Sequence, residues 1–60
     1  MSEELEARWD KAIEHARYML KEYLNIPTGV FGATYISIVI QRYESGERTE
    51  ELLKELEEIK

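Results

Sequence analysis

The sequence predicts an all-α protein, a compact three-helix bundle in one domain. Three observations carry that expectation. The flanks, "SEELEARWDKAIEHARYMLKEYL" and "RTEELLKELEEIK", repeat apolar residues every three or four positions among acids and bases, the period of an amphipathic helix. Pro27 and Gly46, residues that stop helices, divide the chain into three segments of helical length. The 60 residues include no cysteine, so no disulfide can hold a loop-rich fold together. A chain this short buries only about 60% of its unfolded surface. Its stability must come from a well-packed helical core, or from a core completed by a second copy of the chain.

The first helix is expected over residues 2–24. Ser2 caps free N–H groups, and Glu3 and Glu4 place negative charge at the positive end of the helix dipole. Leu5, Trp9, Ala12, Ile13, Ala16, Met19, Leu20, Tyr23 and Leu24 then form one apolar stripe. Trp9 and Tyr23 lie within it and are read as core. Asn25 suits a left-handed position after the helix, and Pro27 prevents continuation.

The middle segment, residues 29–45, is the ambiguous one. It lies in a stretch with no charge from Tyr23 to Gln41 and is crowded with β-branched residues. Its dense apolar part, Val30 to Ile40, falls short of the roughly 20 residues a membrane span needs. Ile36, Ile38 and Ile40 alternate with Ser37, Val39 and Gln41, which is the period of a strand. No other segment reads as a strand, so pairing over Thr34 to Tyr43 would have to be intermolecular. The helical reading accounts for more. With Phe31 at 0°, Glu44, Ser37, Gln41 and Thr34 fall at about 220°, 240°, 280° and 300° and form one polar sector. Phe31, Ile38, Tyr35, Val39, Tyr43, Ile36, Ile40 and Ala33 fill nearly all the rest, interrupted by Arg42. Thr28 can cap the start and Gly46 the end.

The third helix is expected over residues 49–59. Thr49 caps it, Glu50 and Glu51 supply an acidic first turn, and Leu52, Leu53, Leu56 and Ile59 share one face. Glu50 and Lys54 add a favourable pair one turn apart.

Charge and motifs narrow the function by exclusion. A net charge of −5 argues against nucleic acid and against anionic lipid surfaces. Read as a DNA-recognition helix, the third helix would turn Glu50, Glu51, Glu55, Glu57 and Glu58 toward phosphates. His15 is the only histidine, without the partners that a metal or a nucleophile would require. The glycines of "PTGVFG" lack the spacing and the lysine of a phosphate loop. No catalytic set, metal site or cofactor site is therefore expected, and no enzyme. Met1 is followed by Ser-Glu-Glu rather than by a basic and then apolar leader, which makes a cytoplasmic setting the expectation.

Contact with protein remains. Two neighbouring helices do not need some 220° of apolar surface on the helix between them. The surplus is assigned to Ile36, Ile40 and Tyr43, joined by Tyr18, which lies opposite the stripe of the first helix. These four are the candidate interface residues. The expected partner is the chain itself, as a homodimer, or one other protein.

"TEELLKELEEIK" and "SEELEARWDKAIEHA" resemble the Glu-, Lys-, Leu- and Ala-filled surfaces of computationally designed helical proteins. The resemblance covers about half the chain. It implies a helical mini-protein made for fold, assembly or binding, with no natural substrate. "TYISIVI" and the two glycines before it depart from that pattern. The alternative origin is a small natural regulator, of phage or bacterial type, that binds one protein.

Overall fold

The computed structural model describes residues 3–60. They form three α-helices and no strand: α1 Glu3–Leu24, α2 Val30–Glu44 and α3 Glu50–Glu57. The fold is a three-helix bundle in which each helix packs against the other two. The helical reading of the middle segment holds, and the strand reading does not. Among these residues no helix is long and apolar enough to cross a membrane. The expected cap at Ser2 lies outside the described residues.

Side-chain pairs fix the directions of the helices. Tyr23, near the end of α1, faces Gly32 at the start of α2, while Trp9 meets Tyr43 at the end of α2. These two helices are antiparallel. Arg8 pairs with Glu57, His15 reaches the Ile59 carbonyl, and Tyr23 reaches that of Lys60. The chain from α3 onward thus runs in the same sense as α1. The core gathers Trp9, Ala12, Ile13 and Ala16 of α1, Ile36, Val39 and Ile40 of α2, and Leu52, Leu53, Leu56 and Ile59. Burying each large aliphatic side chain here is worth about 1.5–3 kcal/mol relative to exposure.

The two turns are built differently. Asn25 is not left-handed, since no non-glycine residue among those described has positive φ. The chain leaves α1 through tight turns instead, with Asn25 N–H donating to the Glu22 carbonyl and Ile26 N–H to that of Tyr23. Thr28 does not cap α2 either. Gly29 holds the N-cap position without any side-chain cap. Its backbone lies so close to α1 that a Cβ there would stand 2.3 Å from the Tyr23 carbonyl oxygen. The site takes glycine because only a bare backbone fits.

The second turn follows expectation. Gly46 has φ 105°. Its N–H donates to the Tyr43 carbonyl, and Glu47 N–H donates to that of Arg42, which together satisfy the last carbonyls of α2. Thr49 then caps α3 by accepting from Leu52 N–H.

The helices differ in length, and this matters for the surface. At 1.5 Å per residue α1 is about 33 Å long, α2 about 22 Å and α3 about 12 Å. The short α3 covers the half of α2 that ends at Glu44. Only residues 58–60 continue past it toward Gly32 and Tyr35.

Candidate interaction surface

The structure separates the four residues expected to make an interface. Tyr18 is 59% exposed on the outer side of α1, beside Lys11, Glu14 and His15. Ile36 is 1% exposed and Ile40 7% exposed, both inside the core. Tyr43 is half-buried, its ring 5.8 Å from that of Trp9. Ile36, Ile40 and Tyr43 therefore do not form the exposed face expected of them. They point inward because α1 and α3 meet α2 along the arc from Val39 through Ile36 and Ile40 to Ala33, at about 80° to 200° on the wheel.

The apolar surplus exists, but it sits on the opposite arc. Phe31 is 89% exposed and Ile38 53%, with Tyr35 also in solvent. These three stand at about 0°, 340° and 40°, one stripe along two turns of α2. Leu24, Ile26 and Val30 are exposed at the same end of the bundle. α3 ends before it can shelter the first turns of α2, and Ile38, farther along, is exposed because at about 340° it faces away from the arc that α1 and α3 cover. Beside the stripe, α1 and α2 leave a groove of about 380 Å³ lined by Leu20, Leu24, Val30, Thr34, Ile38 and Gln41, among others. Every residue lining it is uncharged.

One signal in the sequence marks this outward arc. Arg42 falls at about 20°, between Phe31 and Tyr35. A guanidinium rarely faces a core without a buried partner, so its sector is the solvent side. The guanidinium pairs with Glu47 and, at 2.7 Å, with Glu55, tying α2 to the following loop and to α3. Hydrogen bonding from Arg42 holds the Glu47 carboxyl below its usual range, while Arg42 is itself raised chiefly by Glu47. Partial desolvation, followed by the nearby Glu55 carboxylate, pushes the Tyr35 phenol up.

Two further arrangements hold the bundle rather than offer chemistry. The Arg8 guanidinium donates both Nε–H and Nη2–H to Glu57, each at 2.9 Å. That pairing keeps the Glu57 carboxyl below its usual range. Arg48 lies 3.7 Å from the centroid of the Tyr43 ring and 5.4 Å from that of Trp9. This cation–π contact fastens the α2–α3 loop to α1. Glu6 and Asp10 border the recess beside it.

His15 is exposed and donates from Nε2 to the Ile59 carbonyl, so it belongs to the seam between α1 and the end of the chain. Among the described residues no group of three His, Cys, Asp or Glu side chains is placed to hold a metal ion. No buried side-chain nitrogen or oxygen among them lacks a hydrogen-bond partner.

No family model, curated protein or solved structure matches this chain.

Proposed function

We propose that this chain is a non-enzymatic helical mini-protein that acts by contact with protein, either its own copy or another chain. The observation that supports this reading is the set of exposed apolar side chains along α2 and the turn before it, Leu24, Ile26, Val30, Phe31, Tyr35 and Ile38. Single exposed apolar residues are ordinary, but several along one helix beside an uncharged groove usually mark a contact surface. Charge supports a protein partner over nucleic acid, since the chain carries −5 overall. The make-up of the flanking helices favours a designed origin. The uncharged, β-branched middle favours the other origin, a small natural regulator of phage or bacterial type that binds one protein.

A photo-crosslinking side chain placed at Phe31 tests the contact. Irradiation of expressing cells is expected to give a discrete adduct, with the chain itself or with one other protein. The same group at Glu14, on the polar face of α1, is the control. No adduct above that control overturns the reading.

A further inference from the structure

We infer that the partner at this face is a second copy of the chain, docked about a two-fold axis with the two α2 helices antiparallel and Phe31 of each protomer packed against Ile38 of the partner subunit. The inference rests on the protein-contact reading and gives it a definite occupant. Three observations carry it.

The first is area. From the fractional exposures of Leu24, Ile26, Val30, Phe31, Tyr35 and Ile38, the surface these residues expose, backbone and the Tyr35 hydroxyl included, is on the order of 700 Å² per protomer. Stable interfaces take about 800 Å² from each side.

The second is charge. Asp, Glu, Lys and Arg make up 35% of the chain, and the balance is acidic. Elsewhere on the helices two copies would have to bring charged side chains together. At this face the groove holds no charged residue, and the one cation on the arc of the stripe, Arg42, is paired with Glu47 and Glu55. Of the other cations near it, Arg17 is taken by Glu44, while Lys21 and Lys60 stand at its margins. A strongly acidic or basic partner finds little counter-charge within the groove, whereas a second uncharged groove needs none. The chain itself carries such a face.

The third is self-complementarity. A two-fold contact sets one patch against itself, so every projection needs a recess on the same face. Phe31 is the projection. The groove bordered by Val30, Thr34 and Ile38 is the recess, about 380 Å³ in volume and offset from Phe31 by about a sixth of a turn of the wheel. Phe31 and Ile38 are seven residues apart, about 10.5 Å along the axis. Reversal about their midpoint, between Thr34 and Tyr35, exchanges one for the other. The antiparallel arrangement also opposes the helix dipoles, while a parallel one would set like ends together.

Sedimentation equilibrium on the purified protein, from about 1 μM to about 1 mM, covers the range expected of a modest interface. A monomer–dimer equilibrium is expected within it. Phe31→Ser should weaken association at least tenfold while leaving the helical circular dichroism of the monomer unchanged. Thr34→Cys places a thiol beside the axis of a chain that has no other cysteine. Mild oxidation should convert it to covalent dimer much faster than Glu14→Cys. A protein that stays monomeric at the highest concentration overturns the inference, as does a dimer in which Thr34→Cys couples no faster than Glu14→Cys. Unfolding of the Phe31→Ser monomer would overturn it too, by showing that Phe31 is core. A monomeric protein whose Phe31 crosslinks to some other protein in cells would sink the second copy and keep the contact reading; absence of both would sink the two together.

Discussion

Ile36 and Ile38 are the same residue type, two positions apart on one helix, and the fold treats them oppositely. Ile36 is sealed in the core, whereas Ile38 has about half its surface in water. Replacing each with alanine is therefore a controlled experiment on which face of α2 is inside. Ile36→Ala removes apolar atoms from a fully packed site and leaves a cavity, which costs about 3 kcal/mol. A 60-residue domain has only about 3–9 kcal/mol of stability in total. The loss would lower the melting temperature by on the order of 15 °C and leave the variant near the edge of folding. Ile38→Ala loses only partial burial and gains helix propensity, so its net effect stays within about 0.5 kcal/mol. Urea unfolding followed by circular dichroism gives both values. It should be run at low micromolar concentration, so that association does not add to the stability of the parent. Equal losses, or a larger loss at Ile38, would refute the assignment of the inner face and with it the interface built on the outer one.

The remaining predictions concern the turns and the ion pairs. Gly46→Ala should destabilise by about 1 kcal/mol, because φ 105° is strained for any L side chain although the space around it is open; a neutral thermal melt would mean that α2 does not end there. Gly29→Ala should be worse, costing more than about 1 kcal/mol, because its Cβ would meet the backbone oxygen of Tyr23 rather than a flexible side chain. A Gly29→Ala melt at or above that of Gly46→Ala would refute the close approach of the two helices. The Glu47 and Glu57 carboxyls sit below their ordinary 4.5 in the folded chain, so the folded state binds fewer protons than the unfolded one in that range. Their contribution is complete above the unfolded value and is lost as pH falls through the lowered native values. Thermal melts should therefore drop below about pH 4.5, and Glu57→Gln should flatten the decline; an unchanged slope would show that the Arg8 pair adds nothing.

The elements of the fold were legible because their signals are local. Thr49 ahead of two glutamates, Gly46 after Ser45, and Pro27 after Asn25 each act within a turn or two of themselves. The expectations that failed depend on what lies across the chain. Thr28 is a competent cap by type, yet the contact between Gly29 and the Tyr23 carbonyl decides how the chain enters α2. Asn25 can adopt the left-handed conformation, yet two tight turns already satisfy the end of α1. The inner face of α2 was missed because isoleucine, valine and tyrosine stand on both sides of it. Periodicity alone does not choose between Ile36 with Ile40 and Phe31 with Ile38. Arg42 does choose, because its guanidinium must reach solvent or the Glu47 and Glu55 carboxylates. The exposure of the first turns of α2 follows from the shortness of α3, a comparison between helices that no single stretch of sequence contains.

Trp9 is the chain's one tryptophan, and it stands where α1, the end of α2 and the loop into α3 come together. Its indole emission therefore reports assembly of the bundle, while far-ultraviolet dichroism reports helix content wherever the helices are. Arg48 needs to move only a few ångströms to leave the rings, so lifting of that loop should alter the fluorescence before any helix is lost. Melts recorded by the two signals would coincide if the molecule comes apart in one step. Emission that changes first would reveal a state in which the helices persist and the α2–α3 corner has already opened.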